Sequence, residues 1–386
     1  MGRMLLFVAV LWACGDDDGM LDAGADGSRV DAGETMPDAG VDAGIDAGTD
    51  ADFDAGTDAA VPARDRLMYV SVSEDRRIAV LTLRADGTMV AESDLDLDLP
   101  GRPGAMTYAR SARRLYVGIG DSIGTIALDG SGAPSLLGRT EGTGRPVYLE
   151  VAYDDAVLVS AYFSDGRLRT HDVSGMPPHA ETESLDVDNE AHAALLGPSG
   201  RRIYVPYRTP DVTQWFDLGS DGSLSFAGEV AALDGAGPRH IIFRPDGRFA
   251  WVINEFADSV TAYAVEDGAL RALETTTTLP AGFDGGDNTC ADIHVTPDGR
   301  FVYGSNRGHD SLAMFAVEDD GNLVSAGQIA TEARPREFDL SPDGRFVVAA
   351  GQDSGQLQSY RVEDDGSLTS VARLEVGGDL RWVVID

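Results

Sequence analysis

The chain is short of the residues that staple a fold, cross a bilayer or grip nucleic acid. It has two cysteines in 386 residues, Cys14 and Cys290. If Cys14 carries a lipid, no pair is left for a bridge within the chain. Its 30 basic residues face 65 acidic ones, for a net charge of −35. A polyanion needs a basic surface, so nucleic acid is excluded as a partner. Adhesion to anionic lipid by charge alone is excluded for the same reason. The one apolar run near the start, Met4 to Trp12, is too short to span a bilayer as a helix. No segment keeps a helical period, so almost no helix is expected.

What the chain does have is a repeat. The stretches from Pro238 to Tyr263, Ala291 to Phe315 and Pro335 to Tyr360 share one pattern. Each runs apolar segment, Pro-Asp-Gly-Arg turn, apolar segment, polar loop and apolar segment, and an acidic Asp-Gly turn follows. A large residue in the middle of each second strand sets the phase: Tyr69, Tyr116, Leu158, Tyr204, Trp251, Tyr303 and Val348. By subtraction the steps are 47, 42, 46, 47, 52 and 45 residues. A repeat of this length, built from short strands and tight turns, predicts an all-β, seven-bladed β-propeller of four-stranded antiparallel blades. The turns agree. Pro245-Asp246-Gly247, Pro297-Asp298-Gly299 and Pro342-Asp343-Gly344 suit tight hairpins, with Pro198-Ser199-Gly200 a weaker copy. Arg66 to Ser71 reads as a second strand lacking a first, and Leu380 to Ile385 as a first strand lacking a blade. The C-terminal strand is therefore expected to complete the N-terminal blade.

Three regions follow. Residues 1–14 read as a lipoprotein-type signal, an apolar run ending in Leu11-Trp12-Ala13-Cys14, although Trp12 is bulkier than such signals favour. Cleavage before Cys14 would leave its sulfur to carry a lipid anchor. Residues 15–64 read as a disordered tether: Gly15 to Ala60 holds 14 acidic residues and one basic, with Asp-Ala-Gly recurring at Asp38, Asp42, Asp46 and Asp54. A calcium-binding repeat is set aside, because neither a glycine-turn scaffold nor a bidentate Glu is present. Residues 65–386 form the propeller. The expected location is the cell envelope, as an exported lipoprotein facing periplasm or medium. Cys290 reads as a packed residue rather than a nucleophile.

In a propeller the turns between strands one and two, and three and four, share one face. Here those turns are uniform. The opposite face carries the variable loops, where binding usually resides. Two rings of positions fall there. The ends of the second strands read Ser73, Gly120, Tyr162, Arg208, Glu255, Arg307 and Gln352. The starts of the first strands, six residues before each turn proline, read His192, Arg239, Ala291 and Arg336. A basic cluster in an acidic protein points to an anionic ligand held by guanidinium forks. The competing structural reading is a salt-bridge network in which Glu255 neutralises Arg239 and Arg307.

Gly237-Pro238-Arg239-His240, Asn254-Glu255 and the run Gly304-Ser305-Asn306-Arg307-Gly308-His309-Asp310-Ser311 resemble the signature blades of the seven-bladed propeller lactonase family. The family includes propeller-type 6-phosphogluconolactonases and carboxy-cis,cis-muconate cyclases. The resemblance covers roughly 66–386 and is strongest in blades five to seven. It implies a catalytic set of His192, Arg239, Glu255 and Arg307. Arg208, Arg336 and Gln352, with Asn254 and Asn306, are expected around it as substrate-binding residues. Three departures stand out: Glu190 where the family often has a second histidine, Tyr207-Arg208-Thr209-Pro210 in place of an Asp-Leu-Gly-like segment, and Ala161-Tyr162 in place of an Asn-Tyr pair.

The expected function is a lactonase-like hydrolase opening a lactone of a sugar acid or related carboxylate outside the cytoplasm. The arginines would hold the anion and the oxyanion. Glu255 would act as base and His192 as acid, or the reverse. Lactonisation or cycloisomerisation of an unsaturated acid is a further chemistry for the same residues. No cofactor or metal is expected, since His171, His179, His240, His294 and His309 lack ligand spacing. The alternative is a non-catalytic cell-envelope propeller serving as a ligand- or protein-binding module. The expected partners are a small anionic or lactone ligand and, through Cys14, a membrane. The chain is expected to be a monomer.

Overall fold

The computed structural model describes residues 64–187, 190–284 and 286–386. The signal expected at 1–14, with Cys14, and all but the last residue of the tether lie outside them. Residues 62–386 form one compact unit. Seven antiparallel sheets follow one another along the chain, and every phasing residue lies on the second strand of its own sheet. All seven are buried. Helix among the described residues is confined to one 3₁₀ turn, Ser93–Leu95, inside the broken outer edge of blade one.

The seam closes as the repeat demands. Leu380–Ile385 pairs antiparallel with Arg66–Val72, placing Tyr69 opposite Val384 and Met68 opposite Ile385. The N-terminal sheet thereby acquires its innermost strand from the C-terminal end, and no blade edge is left open at the join.

Neighbouring blades are pinned by one recurring hydrogen bond. The hydroxyl of Tyr69 donates to Gly132 O (2.9 Å), Tyr204 to Gly268 O (2.7 Å) and Tyr303 to Gly366 O (2.9 Å). The Trp251 indole N–H donates to Gly321 O at 3.0 Å. In each case the acceptor is a glycine of the turn between strands three and four on the next blade, in Asp-Gly for Gly268, Gly321 and Gly366 and in Ser131-Gly132 for Gly132. In blades three and seven, whose phasing residues are aliphatic, third-strand hydroxyls take over. Thr170 Oγ1 donates to Gly222 O (2.6 Å) and Ser359 Oγ to Gly87 O (2.7 Å). These turns need glycine twice over. Gly321 has φ +88°, and a Cβ there would lie 2.2 Å from the Phe249 ring.

The first strands line the central channel, and most carry a bulge at the loop-face end. The register slips between Pro238 and His240, between Cys290 and Ile293, and between Pro335 and Glu337. It also slips between Pro103 and Met106, and opposite Ser71 and Val72 at the closing strand. A bulge adds one residue to a strand, so two consecutive side chains can serve the same side.

Candidate functional site

The bulges explain where the charges go. In blade five the extra residue is Arg239, in blade seven Arg336 and in the closing strand Arg381. His192 holds the corresponding place in blade four, its backbone N–H donating to Pro206 O at 3.2 Å. The chain contains no lysine, so every one of these cations is a planar guanidinium suited to forked binding of an oxyanion.

Glu255 is the hub. It is 2% exposed. Its Oε1 accepts from Arg307 Nη2 at 2.7 Å and from Arg208 Nη1 at 3.2 Å. Its Oε2 lies 3.6 Å from Arg239 Nε. One carboxylate from blade five thus ties together blades four, five and six. Arg307 Nη2 also donates to Cys290 O (3.0 Å) and Arg239 Nη1 to Ala291 O (2.5 Å). Arg239 is fully buried and reaches Glu337 only at 3.6 Å. Burial, and then repulsion from Arg239, Arg307 and Arg381, presses Arg336 below the ordinary arginine value. It remains a cation, and a group of like charges held in a buried place is a receptor for an anion.

The remaining expected residues divide. His192 is buried, its ring 5.4 Å from that of His240, and its Nδ1 has no hydrogen-bond partner among the described residues. Burial first, then Arg239, holds it well below the usual histidine value, so it is a neutral imidazole. Arg208 lies between the rings of Phe163 (4.6 Å) and Phe256 (5.0 Å) and pairs with Glu190 at 3.2 Å. Gln352 donates to Asp379, which also accepts from Arg381 at 2.6 Å. Asn254 and Asn306 turn their amides inward. Asn254 donates to Ser259 and Thr261, and Asn306 to Ser311 and Thr278 O, so both brace the loops between strands two and three of their own blades. Cys290 is buried with its thiol pushed up to about 12 by burial, as suits a packed residue.

Sequence reasoning missed a second tier. One residue beyond Arg239, Ala291 and Arg336 come His240, Asp292 and Glu337, and the bulges bring these to the channel as well. Asp292 Oδ1 accepts from His240 Nδ1 (2.8 Å) and from the Ile293 amide (2.9 Å). Its Oδ2 accepts from His294 Nε2 (3.0 Å) and from the Phe338 amide (3.1 Å). Burial opposes its charge, but His294 and His240 outweigh it and hold the carboxyl well below the usual range. His294 in turn is raised to about 9 by Asp292 against the effect of burial, while burial and Arg239 lower His240 to about 4. Asp292 therefore joins His240 and His294. His179 and His309 do stand apart, bonded to Thr125 and Ser311.

Donor atoms of His240, Asp292 and Glu337 lie within 4.8 Å of one another, a spacing a metal ion could use. The surroundings argue against one. Arg239 Nη1 sits 3.2 Å from His240 Nε2, and both Asp292 oxygens already accept two hydrogen bonds. Below this tier the channel opens into a cavity of about 290 Å³ whose wall includes Tyr148, Glu150, His240, His294 and Trp382.

The chain is similar to proteins of known name. A 6-phosphogluconolactonase of Pectobacterium carotovorum is 32% identical over 283 residues, covering 71% of this chain and 84% of its own. One from Klebsiella pneumoniae is 30% identical over 282 residues, covering 71% and 84%. The crystal structure of a periplasmic gluconolactonase of Pseudomonas aeruginosa superposes with a TM-score of 0.76 at 26% identity, covering 83% of this chain and 99% of that one. Residues 67–385 match the family described as lactonase, 7-bladed beta-propeller, and the chain belongs to that family.

Proposed function

We propose that the protein hydrolyses a lactone of a sugar acid or related carboxylate. The observation that carries this reading is the set of guanidiniums of Arg208, Arg239 and Arg307 gathered around Glu255, with Arg336 repelled by two of them, beside neutral imidazoles. Arg239 and Arg307 would stabilise the oxyanion that forms when water adds to the ester carbonyl. Arg336 and Arg208 would hold the acid end of the product. Glu255, with its oxygens facing three guanidiniums, acts as the anion that orders them. That leaves proton transfer to an imidazole of the cluster.

A non-phosphorylated substrate suits the site better than a phosphorylated one. Glu255, Glu190, Asp292 and Asp379 offset most of the guanidinium charge, leaving enough for a monoanion. Export supports the same choice: the N-terminal segment reads as a lipoprotein signal, and one structural relative is a periplasmic gluconolactonase. Retention at the membrane through Cys14 is tested by Cys14→Ser, which should release the protein into the soluble fraction.

The second reading, a non-catalytic envelope module, draws on Arg208. Between Phe163 and Phe256 and paired with Glu190, that residue is engaged by the protein itself. A pH-monitored panel of sugar and aliphatic lactones on the purified protein decides between them. Acid release well above spontaneous opening establishes the hydrolase. Silence across the panel, with gluconate still bound, establishes the binding module.

A further inference from the structure

We propose that His240, oriented by Asp292, takes the proton from the attacking water, and that this water comes from the channel beneath the arginine cluster. The proposal rests on the lactonase reading above and names a residue for its central step. His240 follows Arg239 at the bulge, so both side chains serve the channel end. Its Nδ1 faces Asp292 Oδ1 at 2.8 Å. A carboxylate acceptor there fixes the proton on Nδ1, so the Nε2 lone pair accepts the N–H of Arg239 Nη1 at 3.2 Å. Asp292 cannot swing away, because two backbone amides and His294 hold its oxygens. Arg239 turns this Nη1 N–H to the oxyanion as it forms, which releases the Nε2 lone pair to the water proton. His192 Nδ1 has no such orienting partner among the described residues. His240 also lines the channel cavity, which has room for water, whereas the arginines enclose the site from the loop side.

The step balances simply. Water oxygen bonds to the lactone carbonyl carbon while one water proton passes to His240 Nε2. The tetrahedral oxyanion rests against Arg239 and Arg307. The ring C–O bond then breaks, and His240 returns the proton to the departing ring oxygen, regenerating the neutral imidazole. The remaining water hydrogen leaves as the new carboxylic acid ionises to solvent. Formation of the oxyanion offsets the charge of Arg239, which strengthens His240 as a base when the proton must move.

The test compares His240→Gln, His192→Gln and Asp292→Asn on the lactone the wild type opens fastest, with gluconate inhibition as a measure of anion binding. His240→Gln should lower kcat by about a thousandfold, and Asp292→Asn by about tenfold to a hundredfold with KM nearly unchanged. Gluconate inhibition should persist in both. His192→Gln should lower kcat by less than His240→Gln does. The reverse ranking of the two histidines overturns the proposal. Should His240→Gln fail to fold, His240→Gly with added imidazole replaces it, and rescue of turnover is the expected result. Histidine ¹⁵N spectra of the wild type judge the orientation without any turnover, and a proton found on Nε2 of His240 overturns the proposal. A wild type silent on every lactone defeats the lactonase reading itself, which the spectra distinguish from a misassigned base.

Discussion

Strand one of blade two and strand one of blade five bulge at the same height. Pro103–Ala109 brings Gly104, Ala105 and Met106 to that level, whereas Pro238–Phe243 brings Arg239 and His240. The backbone is common to both and the chemistry is not. Blades four to seven and the closing strand hold the charges, and blade two offers a small and apolar wall. The difference shows how a radial repeat can host a site. The bulge supplies direction in most blades, and a few blades supply the reactive groups.

The comparison can be broken most forcefully at the charged half. Glu255→Gln leaves Arg239, Arg307 and Arg208 repelling one another in a buried place. It should cost about 3–5 kcal/mol in a denaturant titration and abolish lactone opening. Retention of both stability and rate would show that the hub is dispensable. The scaffold common to all blades should respond next. Gly321→Ala forces a side chain at φ +88° into the Phe249 ring. A loss of about 3 kcal/mol is expected, with the activity of the surviving fold unchanged.

The pH dependence of stability separates the halves more gently. Burial pushes Glu150 up to about 8, and Asp292 holds His294 at about 9. Both groups bind protons in the folded state that the unfolded chain releases earlier, near 4.5 for the carboxyl and 6.5 for the imidazole. Their stabilisation is full below those values and is lost as pH rises to about 9. Thermal melts at pH 5, 7 and 9 should show a falling Tm, and Glu150→Gln should flatten the slope. The smallest effect belongs to the apolar wall. Met106→Leu should change stability by less than about 1.5 kcal/mol and leave turnover alone; a lost activity there would show that both halves serve the reaction.

The fold was legible because its signals are local. Seven phasing residues and their turn glycines marked the blades, and the unmatched strands at Arg66 and Leu380 marked the seam. The first tier of charges was legible by counting back from turn prolines. Arg381 escaped because its strand belongs to a blade that begins at the other end of the chain, so no turn proline follows it. His240, Asp292 and Glu337 escaped for another reason. Strict alternation sends the neighbour of an inward residue to the opposite face, and only the bulge cancels that rule. Asn254 and Asn306 were read as substrate ligands from their place in the motif. The hydroxyls five residues on, Ser259 and Ser311, were the local sign that the Nδ2 groups of both asparagines also brace loops.

The shared first blade also sets an order of events in time. Arg66 and Asp386, joined by a hydrogen bond, stand 320 positions apart. During synthesis the strand Arg66–Val72 emerges first and must wait, with one row of amides and carbonyls unmet, until the last six-residue strand has left the ribosome. Every other blade can fold from consecutive residues as they appear. The ring is therefore latched by Leu380–Ile385, and removal of that strand would leave six finished blades and an open circle.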